Sequence, residues 1–308
     1  MQDVTNMFDA PLAGLNTAEW LDQLEQITQT HGAFQRLGTQ HFSALIEDGT
    51  TLLVTFETIQ GIRALDEDAQ PLGWEMVKGA DWSHLALVSN GDTWFRAPEV
   101  FAYFDSLIDD GFFDEYDRVV FYGAGPCGYA AAAFSVAAPG STVVAIQPQA
   151  TLDPEIAEWD DRFTEHRRRD FTSRYGYAPD MLDAAKEAFI LYDPKVELDA
   201  MHAALFSRPN VTKLRMRHMG AIVQTHLMEM QLLYPILAQA GVGRLTRASF
   251  GRLMRKRRDY PPYLRNLLTR LDRDGRDGLS ERLCRNVTQR MRAPKFARRL
   301  KELEEAKG

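Results

Sequence analysis

RVVFYGAGPCGYAAAAFSVAAPGSTVVAIQP, residues Arg118–Pro148, reads as strand, glycine turn, helix, turn and strand. Inside it stands GAGPCG, a literal G-x-G-x-x-G. The same six residues support two kinds of site. In the first, Gly123, Gly125 and Gly128 let a dinucleotide pyrophosphate approach the backbone at a helix N-terminus, where free N–H groups and the helix dipole favour negative charge. Two features weigh against this. The second strand ends in Ile146-Gln147 rather than in an acidic residue for the ribose hydroxyls, and several predicted elements precede a motif that usually opens its domain.

The second site is a strand–turn–helix elbow of the G-x-S-x-G type. In that register Gly123 is the first glycine, Gly125 stands where a serine would be, and Cys127 replaces the second glycine. FYGAGPCGYAAAAF resembles the nucleophile elbow of the α/β-hydrolase family, with the attacking hydroxyl gone. Glycine takes the strained backbone angles of such a turn without penalty, so the turn outlives its nucleophile. The resemblance covers roughly residues 40–240. It implies a mainly parallel α/β-hydrolase-like sheet with an N-terminal antiparallel hairpin and a helical C-terminal appendage. It also implies an order of nucleophile, acid, histidine, each after its own strand. Asp193 follows the strand AFILY, His218 follows VTKLRM, and Asp199 is a second candidate acid. A shifted elbow, Gly125-Pro126-Cys127-Gly128, makes Cys127 the nucleophile and His218 its base, but puts Tyr129 where the last glycine belongs. The connection QPQATLDPEIAEWDDRF resembles segments of hydrolase-like proteins that accompany polysaccharide synthesis or export.

The flanks read outward from this core. NTAEWLDQLEQITQ is an amphipathic helix capped at Asn16 or Thr17. HFSALI and TLLVTF flank the short EDGT and predict a hairpin near Phe42–Phe56. Ile62–Ala80 is loop-rich, HLALV is a strand, and APEVFAYFDSLIDDG is a helix with Val100, Phe101, Phe104, Leu107 and Ile108 on one face. Leu198–Phe206 is a helix, and AIVQTHLMEMQLLYPILAQAG is a single helix ending at Gly241. Alternation of strand and helix in this order predicts a mainly parallel sheet covered on both faces. The domain expected is 1–241, followed by a basic helical appendage over 242–308.

Charge divides the chain at the same place. Residues 241–308 carry 20 Lys+Arg against 8 Asp+Glu, and the remaining 240 carry 16 against 35, within an overall charge of −7. A basic tail docked on the acidic body, or on a second copy of it, is the expectation; a homo-oligomer stays open. The tail lacks the interleaved aromatics of a single-strand platform, so nucleic acid is not an expected partner. DRDGRDG has the wrong spacing for a calcium loop and reads as a solvated turn, and the run Arg167–Arg169 reads as a solvated charge run before a phosphate clamp.

With two cysteines, Cys127 and Cys284, no disulfide framework or cysteine metal site is implied. Cys284 lies in RLCRN, and neither the E-C-G-type nor the S-G-G-K-D-type motif of phosphosulfate reductases is present. No apolar run reaches the ~18 residues of a membrane span, and the acidic opening stretch is unlike a signal peptide, so a cytoplasmic protein is expected. The function implied is that of a catalytically degenerate hydrolase with a binding or accessory role toward a small molecule or glycan, in the setting of glycan metabolism. No cofactor and no metal are expected. A flavin- or NAD(P)-dependent oxidoreductase using GAGPCG and a cysteine-dependent acyl hydrolase using Cys127 are the alternatives.

Overall fold

The computed structural model describes residues 12–306, so most of the acidic opening stretch lies outside the described residues. The chain forms two compact units, dividing between Arg252 and Leu253. The first is built on a mainly parallel eight-stranded sheet with helices on both faces. The second consists of helices.

In the first unit α1 (Thr17–His31) begins with a capping box: the Asn16 side chain accepts from the backbone of Glu19, and Glu19 accepts from the Asn16 N–H. Strand β1 (Gly32–Leu37) turns through Gly38, at φ 65°, into the antiparallel β2 (His41–Ile46). β3 (Thr51–Thr58) leads through α2 (Ile59–Leu65) and α3 (Trp74–Ala80) to β4 (Ser83–Ser89). After α4 (Pro98–Asp109) come β5 (Arg118–Ala124), α5 (Pro126–Phe134) and β6 (Thr142–Ile146). A long connection carries only the single turns α6 (Pro154–Ala157) and α7 (Ala178–Met181) and 3-10 stretches. It reaches β7 (Glu187–Tyr192), α8 (Glu197–Leu205) and β8 (Val211–Arg215), and α9 (Val223–Glu229), α10 (Leu233–Gly241) and α11 (Arg247–Leu253) follow.

The sheet has eight strands in the order β1-β2-β4-β3-β5-β6-β7-β8. β1, β2 and β4 pair antiparallel in succession, and every pair from β4–β3 to β7–β8 is parallel. The antiparallel hairpin is therefore Gly32–Ile46, one strand earlier than HFSALI–TLLVTF. β4 inserts between those two strands. EDGT is stitched to the start of β4 instead of turning a hairpin: Ser83 Oγ accepts from the Asp48 N–H and donates to the Gly49 carbonyl, and a Cβ on Gly49 would lie 1.9 Å from the Asp81 carbonyl oxygen.

The interior strands β3 to β7 are apolar runs buried on both faces, as a parallel sheet requires. One face packs α4 and α5 through Phe56, Phe104, Phe121, Phe134 and the alanines of α5. The other meets α1, α2 and α3 through Trp20, Phe42, Ile59 and Trp74. Ile62–Ala80 is thus partly helical, its helices held by buried Ile62, Trp74, Met76 and Val77. Of the face expected on α4, Val100 and Phe104 are buried and Ile108 is exposed.

The helix expected to run unbroken to Gly241 is two helices. Pro235 lies in the first turn of α10, where its missing N–H costs nothing. In a continuous helix its ring would clash with the carbonyl of residue 231. Gln231, at φ 53°, makes the break, and Leu232 N–H closes it on the Leu227 carbonyl.

The second unit holds a 3-10 stretch and α12 (Pro261–Arg273), α13 (Asp277–Arg290) and α14 (Pro294–Glu305). Leu264, Leu268, Cys284, Val287 and Phe296 form its core. Arg299 pairs with Asp272 and Asp277, tying α14 to the end of α12 and the start of α13.

Candidate functional site

β5 to β8 run parallel, so the loops after them gather at one edge of the sheet. Gly125 sits there as the residue between β5 and α5, at φ 57°, ψ −127°. A Cβ built on it meets nothing within 4 Å, so the position faces open space. Its two companion glycines serve backbone packing. A Cβ on Gly123 would lie 2.1 Å from the Cys127 carbonyl oxygen, and one on Gly128 would lie 3.1 Å from the carbonyl oxygens of Gly123 and Ile146. The elbow is thus pressed onto β6, and Gly125 N–H donates to the Ile146 carbonyl at 2.8 Å.

α5 opens with Pro126. At this helix start the Gly125 N–H is engaged and Pro126 has none, so neither offers a donor to an anion. Gln147, the residue in the ribose position of a dinucleotide site, is also occupied. At φ 48°, it donates from Nε2 to Asp199 Oδ2 at 2.5 Å and accepts at Oε1 from the Val223 N–H at the start of α9.

Asp193 is buried directly after β7. Its carboxylate accepts from Lys195 N–H at 2.9 Å and from Gly220 N–H at 2.8 Å. The second bond ties it to the turn after β8 that carries His218, a partly buried residue at φ 69°. Asp193 and the His218 turn are thereby brought together, and both lie at the edge that holds Gly125. Asp199 belongs to a separate network. Arg162 bridges it to Asp160, with 2.6 Å from Nη1 to Asp199 and two bonds, from Nε and Nη2, to Asp160. Asp160 also accepts from His202 Nε2 at 2.8 Å, and His202 Nδ1 accepts from Ala150 N–H. Both ring nitrogens are therefore used, and a neutral His202 with its proton on Nε2 satisfies both partners. Burial alone would raise the Asp160 pKa, but the His202 and Arg162 hydrogen bonds overcome it and hold the carboxyl well below the usual carboxylate range. This cluster locks the segment 147–163 onto α8. The neighbouring Arg167 caps the carbonyls of Glu158 and Asp160, and Arg169 reaches the Asp92 carbonyl.

Beside the elbow lies a cavity of about 200 Å³ between the ends of β3 and β5. Ala124, Pro126 and Cys127 line one wall and Phe56, Ile62 and Leu65 the other, with Glu57, Asp92 and Gln224 as polar groups. Burial pushes the Cys127 thiol far above the normal range, and the nearby Glu57 and Asp92 carboxyls push it in the same direction. Glu57 accepts from Thr55 Oγ1 at 2.6 Å and from Leu72 N–H at 3.1 Å. Burial raises its pKa to about 7 against the pull of those two bonds.

Glu57 escapes a reading of the sequence because TLLVTFET looks like a strand with a polar end, and its partner Leu72 arrives from a loop. Pro126 is different: a proline after the nucleophile position is visible in GAGPCG itself. The cluster of Asp160, Arg162 and His202 has a partial signal in the DDRF of the connection, but nothing local points to His202.

No protein-family model and no curated protein sequence matches the chain. Among solved structures it is similar to Est1E from Butyrivibrio proteoclasticus, at 13% identity over 68% of this chain and 98% of that one, with a TM-score of 0.43. An esterase from Pyrobaculum calidifontis is 12% identical over 76% of this chain and 96% of its own, with a TM-score of 0.45. Carboxyl esterase 2 from Tuber melanosporum is 14% identical over 66% and 81%, with a TM-score of 0.44.

Proposed function

We propose that this chain is a hydrolase-like protein that has given up serine chemistry and keeps its edge cavity for binding, in an accessory role toward a small molecule or glycan. The observation that carries this is the pair Gly125-Pro126. Serine hydrolysis on this fold needs a hydroxyl at the elbow and the N–H of the following residue as an oxyanion donor. Gly125 lacks the first and Pro126 lacks the second. Asp193 holding the His218 turn is then the remnant of the acid–base arm. The glycan setting rests on the resemblance of the connection 147–163, and the cytoplasmic location on the composition.

A second reading is an acyl hydrolase that uses Cys127, favoured by the position of that residue in the cavity wall. Both are tested together with a fluorophosphonate probe, iodoacetamide and p-nitrophenyl acetate. The expected result is no fluorophosphonate labelling of the wild type and no ester turnover. Gly125→Ser with Pro126→Gly should gain labelling that His218→Ala then removes. Wild-type turnover that disappears in Cys127→Ala would transfer the conclusion to the cysteine enzyme, and fluorophosphonate labelling of the wild type would overturn the proposal.

A further inference from the structure

Glu57 enters the cavity from the end of β3, and among the described residues its carboxyl is held by neutral donors, the Thr55 hydroxyl and the Leu72 N–H. Thr55 gives its one hydroxyl proton to Glu57, so its 2.8 Å contact with His84 Nε2 is donated by the ring. His84 is buried, its pKa lowered by that burial to about 3, and its ring lies over Gly73, where a Cβ would come within 2.1 Å. It is therefore a neutral donor and supplies no positive charge.

The other titratable groups acting around Glu57 are also without positive charge. Asp66 comes from the end of α2, Tyr122 from β5, Cys127 from α5 and Tyr234 from α10. Asp92 adds a second carboxyl to the lining and is exposed. Arg169 reaches the Asp92 backbone carbonyl. Among the described residues no Lys, Arg or His lines the cavity. A half-buried carboxylate such as Glu57 still loses hydration, and a counter-cation or a proton offsets that cost. Thr58 and Gln224 add neutral polar groups, and Phe56, Ile62, Leu65, Ala124 and Pro126 supply the apolar lining.

We propose that this cavity binds a small primary amine, its ammonium held by Glu57 and Asp92 and its apolar body lying against Phe56, Ile62 and Leu65. The inference rests on the reading of the edge cavity as the ligand site and names the chemistry of the ligand. The cavity falls below the ~300–1,000 Å³ of sites for drug-sized molecules, so the ligand is small. An alcohol could hydrogen-bond but would not neutralise the carboxylate, and an anion would be repelled by both carboxyls. Amine binding also needs Glu57 ionised. Below a pKa of about 7 the empty site holds a proton that the ammonium must displace, so affinity rises with pH up to neutrality and then levels off.

Calorimetry on the full chain with benzylamine, benzyl alcohol and benzoate tests this. The expected result is that benzylamine binds about ten-fold tighter than benzyl alcohol, and that benzoate does not bind. Benzylamine affinity should rise roughly ten-fold from pH 6 to pH 8. Glu57→Gln should lose about ten-fold in affinity together with the pH dependence, and Asp92→Asn, at an exposed position, about three-fold. Benzyl alcohol binding as tightly as the amine, or a wild-type affinity that ignores pH, overturns the proposal without recourse to any variant. Binding of the alcohol or benzoate but not the amine would keep the cavity as a ligand site and remove the amine. If none of the three binds, the ligand-site reading falls as well.

Discussion

Asp160 and Glu57 are both carboxyls drawn into the first unit, and they meet opposite fates. Asp160 sits between Arg162 and His202 and stays ionised. Glu57 sits among hydroxyls, a backbone N–H and other acids, and is pushed toward its neutral form. The difference lies in the company each keeps. A guanidinium that satisfies two carboxylates makes a rigid tie with nothing left to offer a ligand. A carboxyl with neutral donors behind it and a cavity in front retains both an unfilled charge requirement and a proton to exchange.

Removing the counter-charge breaks the contrast most severely. Arg162→Met leaves Asp160 and Asp199 buried without their cation, and should lower unfolding stability by about 3–5 kcal/mol in urea titrations at neutral pH. A loss below about 1 kcal/mol would mean that the cluster is an incidental surface pairing.

The pH response of Glu57 comes next. A folded pKa raised from 4.5 to about 7 means the native state binds the extra proton. Its contribution is fully present below about pH 4.5, falls as pH rises toward 7, and is constant above that, a change of roughly 3 kcal/mol. The stability difference between wild type and Glu57→Gln, followed from pH 4.5 to 8, should therefore shift in favour of the variant as pH rises. Asp160 has the opposite sign: its depressed pKa gives stability that is present above its unfolded pKa near 3.8 and is lost as pH falls below it. A flat difference curve for Glu57 would erase the distinction between the two carboxyls.

The smallest effect sharpens the comparison. Thr55→Val removes the hydroxyl between His84 and Glu57, at an expected cost of about 1–2 kcal/mol. Because the Thr55 bond favours the ionised carboxyl, its loss should move the Glu57 titration to higher pH, read by carboxyl NMR shifts.

Much of the parallel core was legible because its strands announce themselves. RVVFY, TVVAI and AFILY are apolar runs bounded by turn residues, and the glycine spacing of GAGPCG matches a turn squeezed onto β6. Strand neighbours were not legible: sequence adjacency suggested pairing β2 with β3, whereas β4 returns to lie between them. Pro235 carried the signal for the break before α10, and the apolar run on either side of it masked that signal. At the candidate site, Asp193 and His218 could be placed after their strands from the sequence, but the Gly220 bond that joins them depends on backbone direction. Glu57 and Asp160 differ through partners 15 and 42 residues away, Leu72 and His202. The cation of Asp160, Arg162, stands two residues away in DDRF, but no local pattern shows that either carboxyl is drawn in from solvent.

Pro126 has a consequence for the chain's future as well as its present. On the proposed reading, a serine arising at position 125 alone would lack the oxyanion donor that the following residue supplies, and a residue with an N–H arising at 126 alone would have no nucleophile to assist. Neither single step improves turnover, so selection for hydrolysis has no gradient to climb. On the proposed reading the two neighbouring residues act as a ratchet, each removing the gain that a change in the other would bring.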